Sequence, residues 1–166
     1  MKKLKVALVF VVLAFVPLFM VGCGGGVVPQ TFTKDGMTIV AESNFTEQTA
    51  PFNFIRLESK HNIITGIRIP PTGLFPITRT LRQHTERIFA ENGVVDAAIY
   101  VYDDGSGVIF EWFLHETDVE GTIYKFLGVT KKGVGNFYFF SFGCEAVNFG
   151  QFQYHFFEWA KQIVVE

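Results

Sequence analysis

Two short stretches of the sequence carry side chains suited to metal binding or acid–base chemistry. The first, His115-Glu116-Thr117-Asp118, places an imidazole beside two carboxylates. A zinc protease helix needs histidines four positions apart with a glutamate between them, and Val119 occupies that second position. The spacing therefore favours a strand end and a solvated hairpin loop over a zinc site.

The second stretch contains Asp103, Asp104 and Ser106. Calcium takes six or more oxygen ligands, which two carboxylates and one hydroxyl do not supply. Ser106 also lacks the Gly-x-Ser-x-Gly spacing and the strand-to-helix position of a hydrolase nucleophile. This stretch is typical of a turn, and the sequence predicts no metal and no cofactor.

An enzyme would require a site assembled from distant residues. The strand pattern offers one such set, His115 with Glu111 and Asp103 on neighbouring strands. Convergence of the three in a cleft would favour catalysis. The histidines His84 and His155 are expected on the surfaces of two helices instead.

The amino terminus has the layout of an export signal. A lysine-rich start precedes residues 6–21, which carry no charge. The run ends in Met20-Val21-Gly22-Cys23, which resembles the bacterial lipobox, where the thiol is acylated and the chain is cut just before it. The resemblance implies cleavage between Gly22 and Cys23. A retained transmembrane helix or an ordinary secreted protein are the alternatives.

Lipidation would place the protein on the extracytoplasmic face of a bacterial cell membrane. Each buried methylene contributes about 0.8 kcal/mol, so two acyl chains on Cys23 hold a protein where one chain does not. The predicted organisation is a signal peptide over 1–22, a lipidated cysteine and glycine-rich tether over 23–30 that lets the folded part stand off the lipid, and one domain over 31–166.

The charge balance argues against a nucleic-acid partner. Loss of the three leader lysines on cleavage would take the net charge from -2 to -5, and such a body has no basic field to hold a phosphate backbone. Cys144 would then be the remaining cysteine, without an intramolecular disulfide partner. We expect it to be a small buried hydrophobe.

Hydrophobic periodicity predicts an α+β domain. Segments in which apolar and polar residues alternate predict strands, and the polar, glycine-rich residues between them predict turns. After Pro76 the apolar residues recur at helical spacing, which predicts an amphipathic helix that stops at Asn92-Gly93. A closing helix, capped by Asn148, carries its apolar residues every three or four positions. The predicted strands cover 31–33, 37–41, 52–58, 62–69, 97–102, 108–115, 122–130 and 134–142.

Three segments together resemble small bacterial lipoproteins of the PsbP/Mog1-like superfamily. They are 32–39 at the start of the domain, 57–60 in the second hairpin, and the closing Phe156-Phe157-Glu158-Trp159-Ala160-Lys161. The resemblance implies an α/β/α sandwich with a central antiparallel sheet and a non-enzymatic accessory role. The predicted function is binding of an unknown protein or small-ligand partner. The alternatives are a carrier of a small apolar ligand between the closing helix and the sheet, or an envelope enzyme.

Overall fold

Two antiparallel sheets and two helices form the part of the chain that the computed structural model describes, residues 27–71, 79–95 and 97–166. The helices are α1 (Leu81–Asn92) and α2 (Phe149–Lys161). The strands are β1 (Pro29–Lys34), β2 (Met37–Glu42), β3 (Thr46–Glu47), β4 (Phe54–Glu58), β5 (Ile63–Ile69), β6 (Tyr100–Asp103), β7 (Ile109–Val119), β8 (Thr122–Lys132), β9 (Phe137–Glu145) and β10 (Val164–Val165).

The larger sheet has seven strands in the order β3-β4-β5-β9-β8-β7-β6, and the smaller has the order β1-β2-β10. All pairings are antiparallel. The helices lie on opposite faces of the larger sheet, which we call the α1 face and the α2 face. This arrangement confirms the predicted α+β class and the α/β/α sandwich.

Tight turns fix the register of two hairpins. Asp35 and Gly36 join β1 to β2 with φ values of 49° and 74°, and Glu120 and Gly121 join β7 to β8 with 53° and 85°. Positive φ at both central residues gives a turn whose twist matches that of the paired strands. The second turn is shorter than predicted. Residues 116–119 therefore continue β7, and the predicted solvated loop after His115 is wrong.

The main core lies between the α2 face, α2 and the smaller sheet. Aromatic side chains of the central strands project toward α2, and β2 contributes apolar residues from the other side of the same core. Full burial of these large side chains supplies the main favourable free energy of folding. The central members are Met37, Ile39, Phe110, Leu127, Val129, Phe140, Phe142 and Phe156.

Helix α1 covers only one end of its face. It begins with a capping box in which the Thr80 hydroxyl accepts from the Gln83 N–H at 3.2 Å and the Gln83 side chain accepts from the Thr80 N–H at 3.0 Å. It ends at Gly93, whose φ of 63° confirms the predicted stop. The predicted start near Pro76 lies outside the described residues.

Helix α2 begins one residue after Asn148, as predicted, but the Asn148 side chain makes no capping hydrogen bond. The reason is a 3₁₀ turn over Ala146–Asn148 that already places the backbone in a helical conformation before α2. At the other end of the domain, β1 begins at Pro29, two residues before the predicted start of the first strand.

Candidate functional site

A free strand edge borders the uncovered end of the α1 face. Strand β6 pairs with β7 only from Tyr100–Trp112 to Asp103–Ile109. On its other side β7 pairs with β8 from Glu111 to Val119. Among the described residues, segment 113–119 therefore has no strand partner on its outer side. We call this segment the β7 edge.

An apolar cavity lies beside this edge, in the part of the α1 face that α1 leaves open. Its volume is about 240 Å³. Aromatic and aliphatic side chains form most of its wall, and three hydroxyls, one amide and one imidazole also reach it. We call it the His115 cavity. Its lining residues are Thr65, Ile88, Asn92, Val94, Phe113, His115, Thr117, Val119, Phe126, Phe139 and Ser141.

A second, more open cleft of about 460 Å³ runs along the same strand edge, between β7 and the segment that follows α1. We call it the edge cleft. Four residues line both spaces, so the edge cleft and the His115 cavity are contiguous. The shared residues are Asn92, Val94, His115 and Thr117. An occupant of the cleft can therefore place a side chain in the cavity.

His115 stands at the junction of the two spaces. Its ring stacks on Phe126 at 5.1 Å between centroids and lies 5.7 Å from Phe113. Burial lowers the pKa of His115, because an apolar environment disfavours the imidazolium. The ring is thus held neutral more firmly than in water and offers one donor and one acceptor to a bound group.

The three predicted acid–base residues do not converge. Register places His115, Glu111 and Asp103 on one face of the sheet, but Glu111 lies four residues from His115, about 13 Å along the strand. Asp103 pairs opposite Ile109, about 20 Å from His115 by the same spacing. The composite catalytic site that the alternative of an envelope enzyme would require therefore does not form.

Glu111 has a structural partner set instead. Its carboxylate is buried and accepts from the Arg82 Nε at 2.9 Å and from the Thr85 hydroxyl at 2.6 Å. The Thr85 hydroxyl also lies 2.6 Å from that of Thr130. These bonds attach α1 to β7 and β8. They are expected to persist, because a buried carboxylate without a partner is strongly destabilising. They fix the position of the first half of α1 on the sheet.

The Asp103-Asp104 stretch forms a turn, as predicted. The Asp103 carboxylate accepts from the Gly105 N–H at 2.9 Å, and the Asp104 carboxylate accepts from the Ser106 N–H at 2.8 Å. These are the local hydrogen bonds of aspartate in turns. No group of three or more potential metal ligands from His, Cys, Asp and Glu occurs among the described residues.

Cys144 is fully buried on the α2 face, which confirms the sequence prediction. Burial raises the pKa of its thiol to about 11, so the thiolate is scarce at neutral pH. The proposed lipid attachment at Cys23, cleavage after Gly22 and the start of the tether lie outside the described residues. In the described part of the chain, neither helix has the length and apolar character needed to cross a bilayer.

His155 is exposed, as predicted, but the prediction for His84 is wrong. His84 is fully buried under α1, and its ring stacks on Phe137 at 4.3 Å between centroids. Burial lowers the pKa of His84 to about 4, and the positive charge of Arg79 acts in the same direction. This histidine is a core aromatic residue that is neutral at neutral pH.

An aromatic groove lies on the α2 face, between α2 and the sheet. It has a volume of about 360 Å³ and is lined by Trp112, Leu127, Gly150, Gln153, Tyr154 and Phe157. Trp112 stacks on Tyr100 at 4.4 Å and meets Phe157 edge-on at 5.6 Å. The groove lies between the two elements that the alternative of an apolar-ligand carrier requires, but its lining residues were not predicted from the sequence.

Comparison with known proteins identifies the architecture. No protein-family model matches the sequence, and no curated protein matches it. The solution structure of cyanobacterial PsbP (CyanoP) from Synechocystis matches with a TM-score of 0.50 and 12% identity, over 91% of this chain and 100% of that chain.

Two crystal structures match with higher TM-scores. The Saccharomyces cerevisiae Ran-binding protein Mog1p has a TM-score of 0.56 and 8% identity, over 84% of this chain and 96% of that chain. A protein from Bacteroides thetaiotaomicron has a TM-score of 0.58 and 12% identity, over 82% of this chain. The match covers 48% of the Bacteroides protein, so this chain spans about half its length. At these identities the similarity establishes the fold alone, and the chain has the PsbP/Mog1-like fold.

Proposed function

We propose that this chain is a lipid-anchored extracytoplasmic protein that binds a protein partner at the membrane surface, without covalent chemistry. The observation that carries the binding role is the β7 edge, which has no strand partner on its outer side and borders an apolar cavity. The Ran-binding protein of the same fold supports a protein as the partner. The lipobox-like Met20-Val21-Gly22-Cys23 supports the anchor.

The anchor is tested by replacing Cys23. We expect the native protein in the membrane fraction, with mass spectrometry showing a chain that begins at acylated Cys23. The Cys23→Ala variant should keep its leader and yield uncleaved precursor without lipid. Cys144→Ala is the matched control, because the Cys144 thiol is buried. Recovery of the native protein with an unmodified thiol and an intact leader would contradict the proposal.

The binding role is tested by crosslinking in intact cells. A photoreactive amino acid at Thr117, which lines both the cavity and the cleft, should form a discrete adduct with one protein. The same group at Glu86, an exposed residue of α1 outside this site, should not. Equal adducts at both positions, or none at Thr117, would argue against a partner at the β7 edge.

The aromatic groove favours a second candidate function, transport of a small apolar ligand. Gly150 lines this groove, and a Cβ built at this residue meets no atom within 4 Å. We expect Gly150→Leu to fill the groove without a clash. Binding of the neutral fluorophore N-phenyl-1-naphthylamine should weaken at least about tenfold, the effect of 1.4 kcal/mol.

Gln151→Leu is the matched control for the groove. It adds the same side chain at the next residue of α2, which is exposed and does not line the groove. This variant should bind the fluorophore as the native protein does. Fluorescence titration measures both. No saturable binding to the native protein, or equal affinities of the two variants, would refute the carrier function.

A further inference from the structure

Within the described part of the chain, the β7 edge is the longest stretch of the larger sheet that has no strand partner on one side. At the opposite side of the sheet the outermost strand is β3, which has two residues. Strand β6 has four. The outer side of 113–119 is a seven-residue edge at which alternate residues present their N–H and C=O groups, and these groups can pair with an added strand.

The side chains of this edge alternate in character. Phe113, His115, Thr117 and Val119 face the His115 cavity and carry no fixed charge, and no Asp, Glu, Lys or Arg lines that cavity. On the α2 face the edge presents Leu114, Glu116 and Asp118. An added strand would therefore meet an apolar surface on one side, and on the other the carboxylates of Asp118 and Glu116, the latter ion-paired with Lys125.

The carboxylates disfavour pairing with a second copy of this chain. A symmetric antiparallel pair centred on Glu116 would place the two Glu116 side chains directly opposite each other, and like charges in that position are destabilising. Lys125 lies 3.0 Å from Glu116 within the same chain, whereas Asp118 uses one oxygen to accept from the Gly121 N–H at 2.8 Å. A foreign strand with basic residues removes the repulsion.

We infer that the β7 edge binds an extended segment of the partner protein as an added β-strand, with alternating apolar and basic side chains. The apolar side chains enter the His115 cavity, and the basic ones lie near Glu116 and Asp118. A small molecule in the cavity would leave the seven-residue backbone edge unpaired, whereas a strand occupies both spaces. This inference rests on the proposed function, because it specifies the partner of the same site.

The test uses peptides of defined pattern with the purified full-length protein in detergent. The alternating peptide acetyl-KVKVKVK-amide should bind at least about tenfold more tightly than acetyl-KKKKVVV-amide, which has the same composition but no alternation. Binding should slow hydrogen exchange at backbone amides of the β7 edge. An alternating peptide N-methylated at every second residue should lose this effect, because it lacks the donors that pair with an edge.

The charge complementarity is tested with Glu116→Lys. We expect a fall of about three- to fivefold in affinity for the alternating basic peptide, the size of one exposed charge contact. Affinity for acetyl-EVEVEVE-amide should rise. Glu86→Lys is the matched control: it changes the net charge equally but lies on exposed α1 away from the edge, and it should leave both affinities unchanged.

The outcomes separate this inference from the proposed function. If alternation makes no difference, or exchange slows elsewhere, the added-strand inference is wrong, even when Thr117 crosslinks to a partner in cells. If N-phenyl-1-naphthylamine protects the same amides and no peptide does, the cavity is a small-molecule site and the inference is also wrong. If the alternating peptide binds as described but Thr117 captures no partner, the inferred chemistry stands and the cellular function fails.

Discussion

Acidification should destabilise this protein by about 3 kcal/mol through His84 alone. The pKa of this histidine falls from 6.5 to about 4 on folding, and each pKa unit corresponds to about 1.4 kcal/mol. Between these two values the unfolded chain binds more protons than the folded chain. The contribution of His84 to the free energy of unfolding is therefore fully present above pH 6.5. It is lost as the pH falls from 6.5 to about 4.

His84→Phe isolates the effect, because a phenyl ring can keep the stacking on Phe137 and cannot be protonated. Urea unfolding of the native protein and of the variant, from neutral pH to about pH 4, gives the difference in free energy of unfolding. Carboxylates titrate in both proteins, so their contribution cancels in that difference. Parallel stability curves for the two proteins would refute the assignment.

Phe156→Ala should cost about 3–5 kcal/mol of stability, the range for removing a buried phenylalanine. Phe156 is fully buried at the centre of the main core. Its ring lies 5.7 Å from Phe149, 5.8 Å from Trp159 and 6.3 Å from Phe142. The variant would lose a large part of the 5–15 kcal/mol typical of a native domain.

Tyr154→Ala is the control for this substitution. It removes an aromatic ring from the same helix, but Tyr154 is 71% exposed, so the change should stay within about 0.5 kcal/mol. Thermal and urea unfolding measure both variants. Equal losses for the two variants would contradict this prediction, because burial would then not determine what an aromatic ring of α2 contributes to stability.

The sequence predicts the fold where local chemistry decides the structure. Asp35-Gly36 and Gly93 require positive φ, and the apolar period of α2 matches its buried face. The observed strand ends differ from the predicted ones where pairing with a neighbouring strand outweighs the residue preferences of the segment. Residues 116–119 are polar or charged at three of four positions, yet they extend β7 because β8 supplies a continuous partner.

The candidate site follows from tertiary contacts that no local pattern encodes. The β7 edge exists because β6 begins only at Tyr100, and the cavity exists because α1 stops at Asn92 before it covers the face. The burial of His84 likewise could not be predicted from the local sequence pattern. The residue occupies the inner stripe of α1 with Thr85 and Ile88, but a histidine in an amphipathic pattern is interpreted as polar.

Because β1 begins as early as Pro29, only a short stretch of chain would separate the folded domain of the proposed lipoprotein from the membrane. Val28 is already fixed, since its carbonyl accepts from the Ser43 N–H at 2.7 Å. Five Cα steps separate it from Cys23, at most about 18 Å of extended chain. That span is less than the diameter of a domain of this size, which is roughly 30 Å or more. Acylated at Cys23, the near side of the domain would stay within about 18 Å of the lipid, and the protein would diffuse only in the plane of the membrane.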